Sequence, residues 1–333
     1  MENNIKVAVL GGGSWATALV KILCENVDEV GWYMRNVYAK EHILNEQHNP
    51  NYLSSVEFQT EKLKLSNDIN EIVDYADYLI FAIPSAFLNS ELKKLSTSLE
   101  GKVIFSAIKG IVPECGLIVG EYFHDLYDVP FERIGVVTGP CHAEEVALER
   151  LSYLTVASSD ESKASLLAEK LSTSYIKTKV SDDIIGTEYA SVLKNIYAVA
   201  AGIAHGLGYG DNFQAVLMSN AIREMKRFIK RIHRMKRNIN NSAYLGDLLV
   251  TGYSIFSRNR MFGNMIGKGY TVKSAMMEMN MIAEGYYATK SAYIITSKQK
   301  RKSKTPIIDA VYAVLYQGKD PKKVFAKLTE KID

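Results

Sequence analysis

Cysteine is scarce in this chain. Cys24, Cys115 and Cys141 are the only three in 333 residues, and their spacing matches neither a metal knuckle nor a redox pair. Three thiols cannot all pair internally, so a disulfide scaffold is excluded and a reducing, cytoplasmic setting is expected. The histidines are scattered, and no metal site is expected. No apolar run has the length a bilayer span requires, so stable membrane insertion is not expected. Met1-Glu2-Asn3-Asn4 passes straight into an apolar strand-like run, which does not read as a signal peptide. Charge of one sign is also lacking: the net charge is only +3, too small to argue for a nucleic-acid partner. There is no internal repeat, no low-complexity tract, and no Pro/Gly linker near residues 180–186. What remains is 47 % apolar and 23 % charged, an ordinary globular composition of about two domains' length.

The most informative stretch is Lys6-Val7-Ala8-Val9-Leu10-Gly11-Gly12-Gly13-Ser14-Trp15-Ala16-Thr17-Ala18-Leu19. An apolar run ends in glycines and turns into a helical pattern. That is the strand, tight turn and helix N-terminus that cradle a dinucleotide pyrophosphate. Gly11 permits the turn, Gly13 lets backbone approach phosphate, and the small Ala16 lets the helix lie on the sheet. The orphan N–H groups of the first turn face the anion.

Further apolar runs at Glu29–Met34, Asp77–Ile83, Lys102–Ala107, Ile134–Thr138, Tyr153–Ser158 and Ser174–Lys179 read as strands. Helical patterns at Trp15–Asn26, Ser85–Ser98, Glu114–Leu126 and Glu161–Leu171 alternate with them. Alternation of this kind predicts an α/β fold, a Rossmann-type, doubly wound, mostly parallel sheet. Beyond about Asp182 the β-pattern stops, and Ile185–His205 opens an all-α C-terminal half. The expected domains are 1–182 for NAD(P) and 183–333 for substrate and catalysis.

The strand end Gly31-Trp32-Tyr33-Met34-Arg35-Asn36 has no acid for a ribose 2′-OH. Arg35 stands where a 2′-phosphate needs a cation. NADPH is therefore the expected coenzyme, with NADH as the alternative.

Several clusters lie away from the glycine turn. Lys109, in Ser106-Ala107-Ile108-Lys109-Gly110, projects from the carboxyl edge of the sheet, where ligands bind in such folds. Gly139-Pro140-Cys141-His142-Ala143 is a turn opening a helix, a second potential anion nest. Lys194-Asn195 lies in the Ala-rich helix, where burial would lower the lysine pKa toward a range useful for proton transfer. Gly246-Asp247 through Thr251 and the loop-like Ser257-Arg258-Asn259 complete the set. The latter offers a hydroxyl, a guanidinium and an amide, suited to phosphate.

Together and in this order, these blocks resemble the NAD(P)-dependent glycerol-3-phosphate dehydrogenase family, the bacterial type in particular. The resemblance runs from about residue 5 to about residue 315. It includes His48-Asn49-x-x-Tyr52-Leu53, Ile83-Pro84-Ser85, Gly186-x-Glu188, Gly202–Asn212, Ser257–Gly263 and Ala283-Glu284-Gly285. It implies reversible reduction of dihydroxyacetone phosphate to sn-glycerol 3-phosphate, the glycerophospholipid backbone, by an enzyme that is usually a homodimer. By resemblance Lys194 is the acid and base, Lys109 a second cation near the reacting oxygen or nicotinamide, and Asp247 the partner of Lys194 and of a substrate hydroxyl. Thr251 supports them. Ser257, Arg258 and Asn259 hold phosphate, and Gly139 and Cys141 contact substrate. Ser14, Trp15, Ala143, Ile282 and Glu284 line the coenzyme, with Arg258 and Lys109 also reaching it.

The chain departs from the family pattern at Asn220, where an arginine is usual, with Arg223 one turn away. That departure leaves open a silent NADP(H)-binding regulator. A β-hydroxyacid or ketopantoate-type reductase is the other alternative, although it gives the phosphate cluster no task. Residues 223–237 hold eight Lys/Arg and one acid, and read as an amphipathic basic helix with a solvated outer face, contact with anionic lipid being the alternative.

Overall fold

The computed structural model describes residues 5–279, 283–298 and 304–333. It divides into two compact units: the residues up to Ile108 with Leu117–Ile184, and Lys109–Gly116 with Ile185–Asp333. The excursion at 109–116 assigns Lys109 to the second unit.

The strands are β1 (Val7–Leu10), β2 (Val30–Tyr33), β3 (Leu63–Ser66), β4 (Tyr78–Phe81), β5 (Val103–Ser106), the short β6 (Ile111–Val112) and β7 (Leu117–Ile118), β8 (Ile134–Thr138), β9 (Ser152–Ser158) and β10 (Ile176–Ser181). The first unit holds an eight-stranded sheet in the order β10-β9-β8-β5-β4-β1-β2-β3. From β3 to β8 every pairing is parallel, as the alternation of strands and helices predicts. β9 then runs antiparallel to β8, with Val137 opposite Val156, and β10 lies parallel to β9. Strands β1, β2, β4, β5 and β8 are buried at every position, the mark of a sheet covered on both faces.

Several helix bounds differ from expectation, and the helix expected over Trp15–Asn26 runs from Ser14 to Leu23. Glu114–Leu126 gives way to a helix that begins only at Val119, because β7 occupies residues 117–118. The helix expected over Ser85–Ser98 stops at Leu92.

Apart from the short β6, the described residues of the second unit are helical or loop. Its long apolar helix Ile184–Gly206 is followed by Asp211–Ile232. The basic stretch 223–237 is thus not one helix. It ends at Ile232, where His233 turns extended at φ −132°. Arg237 folds back to donate to the His233 carbonyl at 2.9 Å, placing a cation at the negative helix end.

The inner face of Asp211–Ile232 carries a buried acid. Glu224 accepts from the backbone N–H groups of Ile307 and Ile308, at 2.9 and 3.0 Å, in the first turn of the helix Pro306–Gln317. Burial pushes its carboxyl up to about 8, against the pull of those two bonds. The flanking Thr305 makes no side-chain cap, so Glu224 performs that task across the fold. Glu224→Ala leaves two buried donors unmatched and is expected to cost about 2–4 kcal/mol, read as a lower urea midpoint at constant slope. An unchanged midpoint would remove Glu224 from the capping role. On the same helix Asn220 donates to the Asp333 backbone oxygen at 2.6 Å, and Arg223 pairs with the Asp333 side chain at 2.6 Å. Both side chains are thereby engaged with Asp333.

Candidate active site

In the first unit the glycine turn has the predicted geometry. Gly11 sits at φ +140°, and a Cβ there would lie 2.6 Å from the Ala82 carbonyl oxygen, so only glycine fits. Gly13 is the N-cap of the helix Ser14–Leu23, with no side chain capping it, and a Cβ built on it meets open space. The turn is braced from behind. Trp32 Nε1 donates to the Gly11 carbonyl at 2.7 Å. Asn49 Nδ2 donates to Thr17 Oγ1 at 2.9 Å and to the Gly12 carbonyl at 3.3 Å. An uncapped helix N-terminus behind a braced, side-chain-free turn fits a pyrophosphate. Ser14 is buried at the first helical position, and Trp15 is half-buried beside it.

Arg35 follows β2. Its guanidinium lies 3.5 Å from Glu91 and over the Phe87 ring, 5.6 Å from the centroid. Glu91 is buried, and it also accepts from Tyr33 Oη at 2.5 Å and Lys94 Nζ at 3.0 Å. Burial opposes its ionisation, but the Tyr33 and Lys94 hydrogen bonds and the Arg35 charge hold its carboxyl below the usual range. Sequence reading missed Glu91, which reaches the end of β2 from the helix Ser85–Leu92.

Beyond β8, Gly139 takes φ +127° in close approach to the Tyr153 carbonyl, and Cys141 is buried. Ala143 is buried at the start of a helix of only five residues, Ala143–Ala147. The first turn of that helix carries Glu144 and Glu145, so it makes a poor anion nest, contrary to the sequence expectation.

In the second unit Lys194 Nζ donates to Asp247 Oδ1, both side chains being buried, across 53 positions of sequence. Asp247 opens the helix Asp247–Tyr253. Thr251, one turn on, donates to the Asp247 carbonyl at 2.6 Å, which secures the start of that helix. Burial, aided by the Lys109 ammonium and opposed by Asp247, lowers the Lys194 pKa to about 7. Asn195 Nδ2 donates to the Lys109 backbone carbonyl at 2.8 Å. Asn195 was legible only as half of a Lys-Asn pair. In the fold it ties the Lys109 segment to the helix that carries Lys194.

Ser257-Arg258-Asn259 is not the expected loop. Ser257 caps the helix Arg258–Gly267 by accepting from Arg260 N at 3.3 Å. Asn259 Oδ1 accepts from Gly285 N at 2.8 Å, next to Glu284, the half-buried first residue of the helix Glu284–Ser297. Both side chains spend their acceptor on the fold and keep N–H or O–H donors, the polarity a phosphate wants. Arg258 is half-buried on the first turn. Ile282 lies outside the described residues. No group of three or more His, Cys, Asp or Glu among the described residues could hold a metal ion. No helix among them is long and apolar enough to cross a membrane.

A Rossmann-type unit with this turn, joined to a helical unit with a buried lysine–aspartate pair, defines a dehydrogenase that uses a nicotinamide coenzyme. Residues 6–164 match the N-terminal part of NAD-dependent glycerol-3-phosphate dehydrogenase, and residues 183–326 match its C-terminal part. The chain belongs to that family. It is 33 % identical over 314 residues to the glycerol-3-phosphate dehydrogenase [NAD(P)+] of Staphylococcus carnosus, covering 94 % of each chain. The enzyme of that name from Streptococcus sanguinis is 35 % identical over 318 residues, with 94 % of this chain and 92 % of the relative covered. The crystal structure of glycerol-3-phosphate dehydrogenase from Coxiella burnetii superimposes with a TM-score of 0.89 at 27 % identity, over 98 % of this chain and 99 % of that one.

Proposed function

We propose that this chain reduces dihydroxyacetone phosphate to sn-glycerol 3-phosphate, reversibly, with NADPH preferred over NADH. The observation that carries the reading is the buried Lys194–Asp247 pair, with the lysine brought to about 7 in a chain of this family. A lysine so placed is protonated or neutral within reach of physiological pH, as an acid that must also serve as a base requires.

The reduced nicotinamide, when bound, supplies hydride to the carbonyl carbon. Lys194 gives a proton to the carbonyl oxygen as charge grows there, so that the C=O π bond is replaced by one C–H and one O–H bond and the C–O single bond remains. Lys109 offers a second positive charge to that oxygen or to the nicotinamide edge, and Asp247 keeps Lys194 in place and bonds a substrate hydroxyl. Thr251 steadies Asp247. Arg258, with the donors of Ser257 and Asn259, takes the phosphate, and Arg258 also reaches the coenzyme. Gly139 and Cys141 contact substrate. Gly11, Gly13, Ser14, Trp15, Ala143, Ile282 and Glu284 line the coenzyme, and Arg35 faces its 2′-phosphate. The three cysteines, all free thiols, suit a reducing cytoplasm. A homodimer rests on the family expectation.

The test is coenzyme oxidation followed by absorbance on adding dihydroxyacetone phosphate. Turnover is expected with the phosphorylated substrate and not with plain dihydroxyacetone, and at lower KM for NADPH than for NADH. Equal turnover of the unphosphorylated ketone would remove the phosphate role of Arg258. No turnover with either coenzyme, despite coenzyme binding, would favour the silent regulator.

A further inference from the structure

Tyr33 ends β2 and Arg35 follows two residues on, while the helix Ser85–Leu92 carries Phe87 and Glu91. One carboxylate joins them. Glu91 is buried, yet it is the shared acceptor of Tyr33 Oη at 2.5 Å and Lys94 Nζ at 3.0 Å, and its Oε1 faces the Arg35 guanidinium at 3.5 Å. The Arg35 side chain itself is 63 % exposed and lies over the Phe87 ring. An exposed arginine normally samples many rotamers, and ordering it on binding costs affinity. Here one edge is held from beneath by a fixed acid and one face is covered by an aromatic ring. The rest of the side chain stays open to solvent.

We propose that Glu91 is a positioning residue for coenzyme selectivity: anchored by Tyr33, it holds Arg35 over Phe87 in the orientation that receives a 2′-phosphate. The proposal rests on the reading that Arg35 faces that phosphate. Glu91 is not itself the missing ribose acid, since its oxygens are already taken by Tyr33, Lys94 and Arg35. Its task is to remove the cost of ordering the arginine. Only a coenzyme that uses the arginine gains from this, so the effect appears in discrimination between coenzymes and not in the chemical step.

The experiment measures dissociation constants of full-length protein for 2′,5′-ADP and for 5′-ADP by calorimetry, and KM and kcat for NADPH and NADH. Four proteins are compared: the parent, Glu91→Gln, Tyr33→Phe and Arg35→Ala. Tyr33→Phe keeps every charge and removes only the shorter of the hydrogen bonds that hold Glu91, so it separates positioning from electrostatics and covers the case in which Glu91→Gln fails to fold. Glu91→Gln and Tyr33→Phe are each expected to weaken 2′,5′-ADP and to raise the NADPH KM about three- to tenfold, the range set by ordering one long side chain. 5′-ADP, the NADH KM and both kcat values stay within about twofold. A merely structural role would weaken both nucleotides together, and that result overturns the proposal. Tighter 2′,5′-ADP binding in Glu91→Gln would mean that Glu91 only neutralises Arg35, and also overturns it. If Arg35→Ala weakens both nucleotides equally, the reading of Arg35 falls and Glu91 has nothing to position. If Arg35→Ala is selective while Glu91→Gln and Tyr33→Phe are silent, the reading of Arg35 stands and the Glu91 proposal alone fails.

Discussion

Lys194→Ala is expected to lower kcat for dihydroxyacetone phosphate reduction by two to four decades, the usual range for loss of a positioned acid. The substitution also strands Asp247, a buried carboxylate that would lose the Lys194 cation, so a stability loss of about 3–5 kcal/mol is expected beside the catalytic one. The two effects separate in the pH profile. The parent's reduction rate should fall as pH rises through about 7, because the protonated Lys194 is the acid. The reverse oxidation should rise over the same interval. Asp247→Asn removes the charge that holds the Lys194 pKa up, so the descending limb of reduction should move to lower pH. A folded Lys194→Ala protein with near-normal kcat, or a profile unmoved in Asp247→Asn, would take Lys194 out of the role of acid.

Lys194 is flanked by Ala190, Ala198 and Ala201 in an apolar helix, and burial of a lysine there follows from the pattern alone. That Asp247 is its partner does not, because nothing local couples residues 53 apart. The resemblance to a family joined them. The glycine turn was legible because its requirements are local: a strand, a positive φ, an uncapped helix. Strand β3 was not, since Leu63-Lys64-Leu65-Ser66 is half exposed at the sheet edge and has no long apolar run. Nor was the reversal at β9, because a buried strand has the same composition in either direction. Glu91 and Glu224 escaped for one reason. Each is an acid inside a helical pattern, where the default is a solvated face, and only tertiary packing shows that each is buried against donors from another element.

Gly263→Ala is the second substitution with a large expected effect, and its cause is backbone proximity. The helix Arg258–Gly267 crosses the helix Ile184–Gly206 with glycine on both sides. A Cβ on Gly263 would lie 2.1 Å from the Val199 carbonyl oxygen, one on Gly202 2.0 Å from that of Arg260, and one on Gly267 2.4 Å from that of Ile203. The obstacles are main-chain atoms of helices, which cannot step aside as a side-chain tip can, so one added methyl must push the helices apart. Overpacking of this kind costs about 1–3 kcal/mol, and this contact belongs at the upper end. The same shift carries function, because Lys194 rides on one helix and Ser257, Arg258 and Asn259 open the other. If these groups act on one substrate as proposed, a displacement of about 1 Å between acid and phosphate clamp can cost about a hundredfold in kcat/KM. Gly263→Ala should therefore lower both Tm and kcat/KM, with the loss larger for dihydroxyacetone phosphate than for coenzyme binding. Gly210→Ala is the control, since a Cβ there meets nothing within 4 Å and Gly210 is the N-cap of the helix Asp211–Ile232 with no side-chain cap to lose; it should cost about 1 kcal/mol at most and leave kcat/KM unchanged. A Gly263→Ala protein as stable and active as the Gly210→Ala control would mean the two helices can separate freely, and that their close crossing does not set the distance between Lys194 and Arg258.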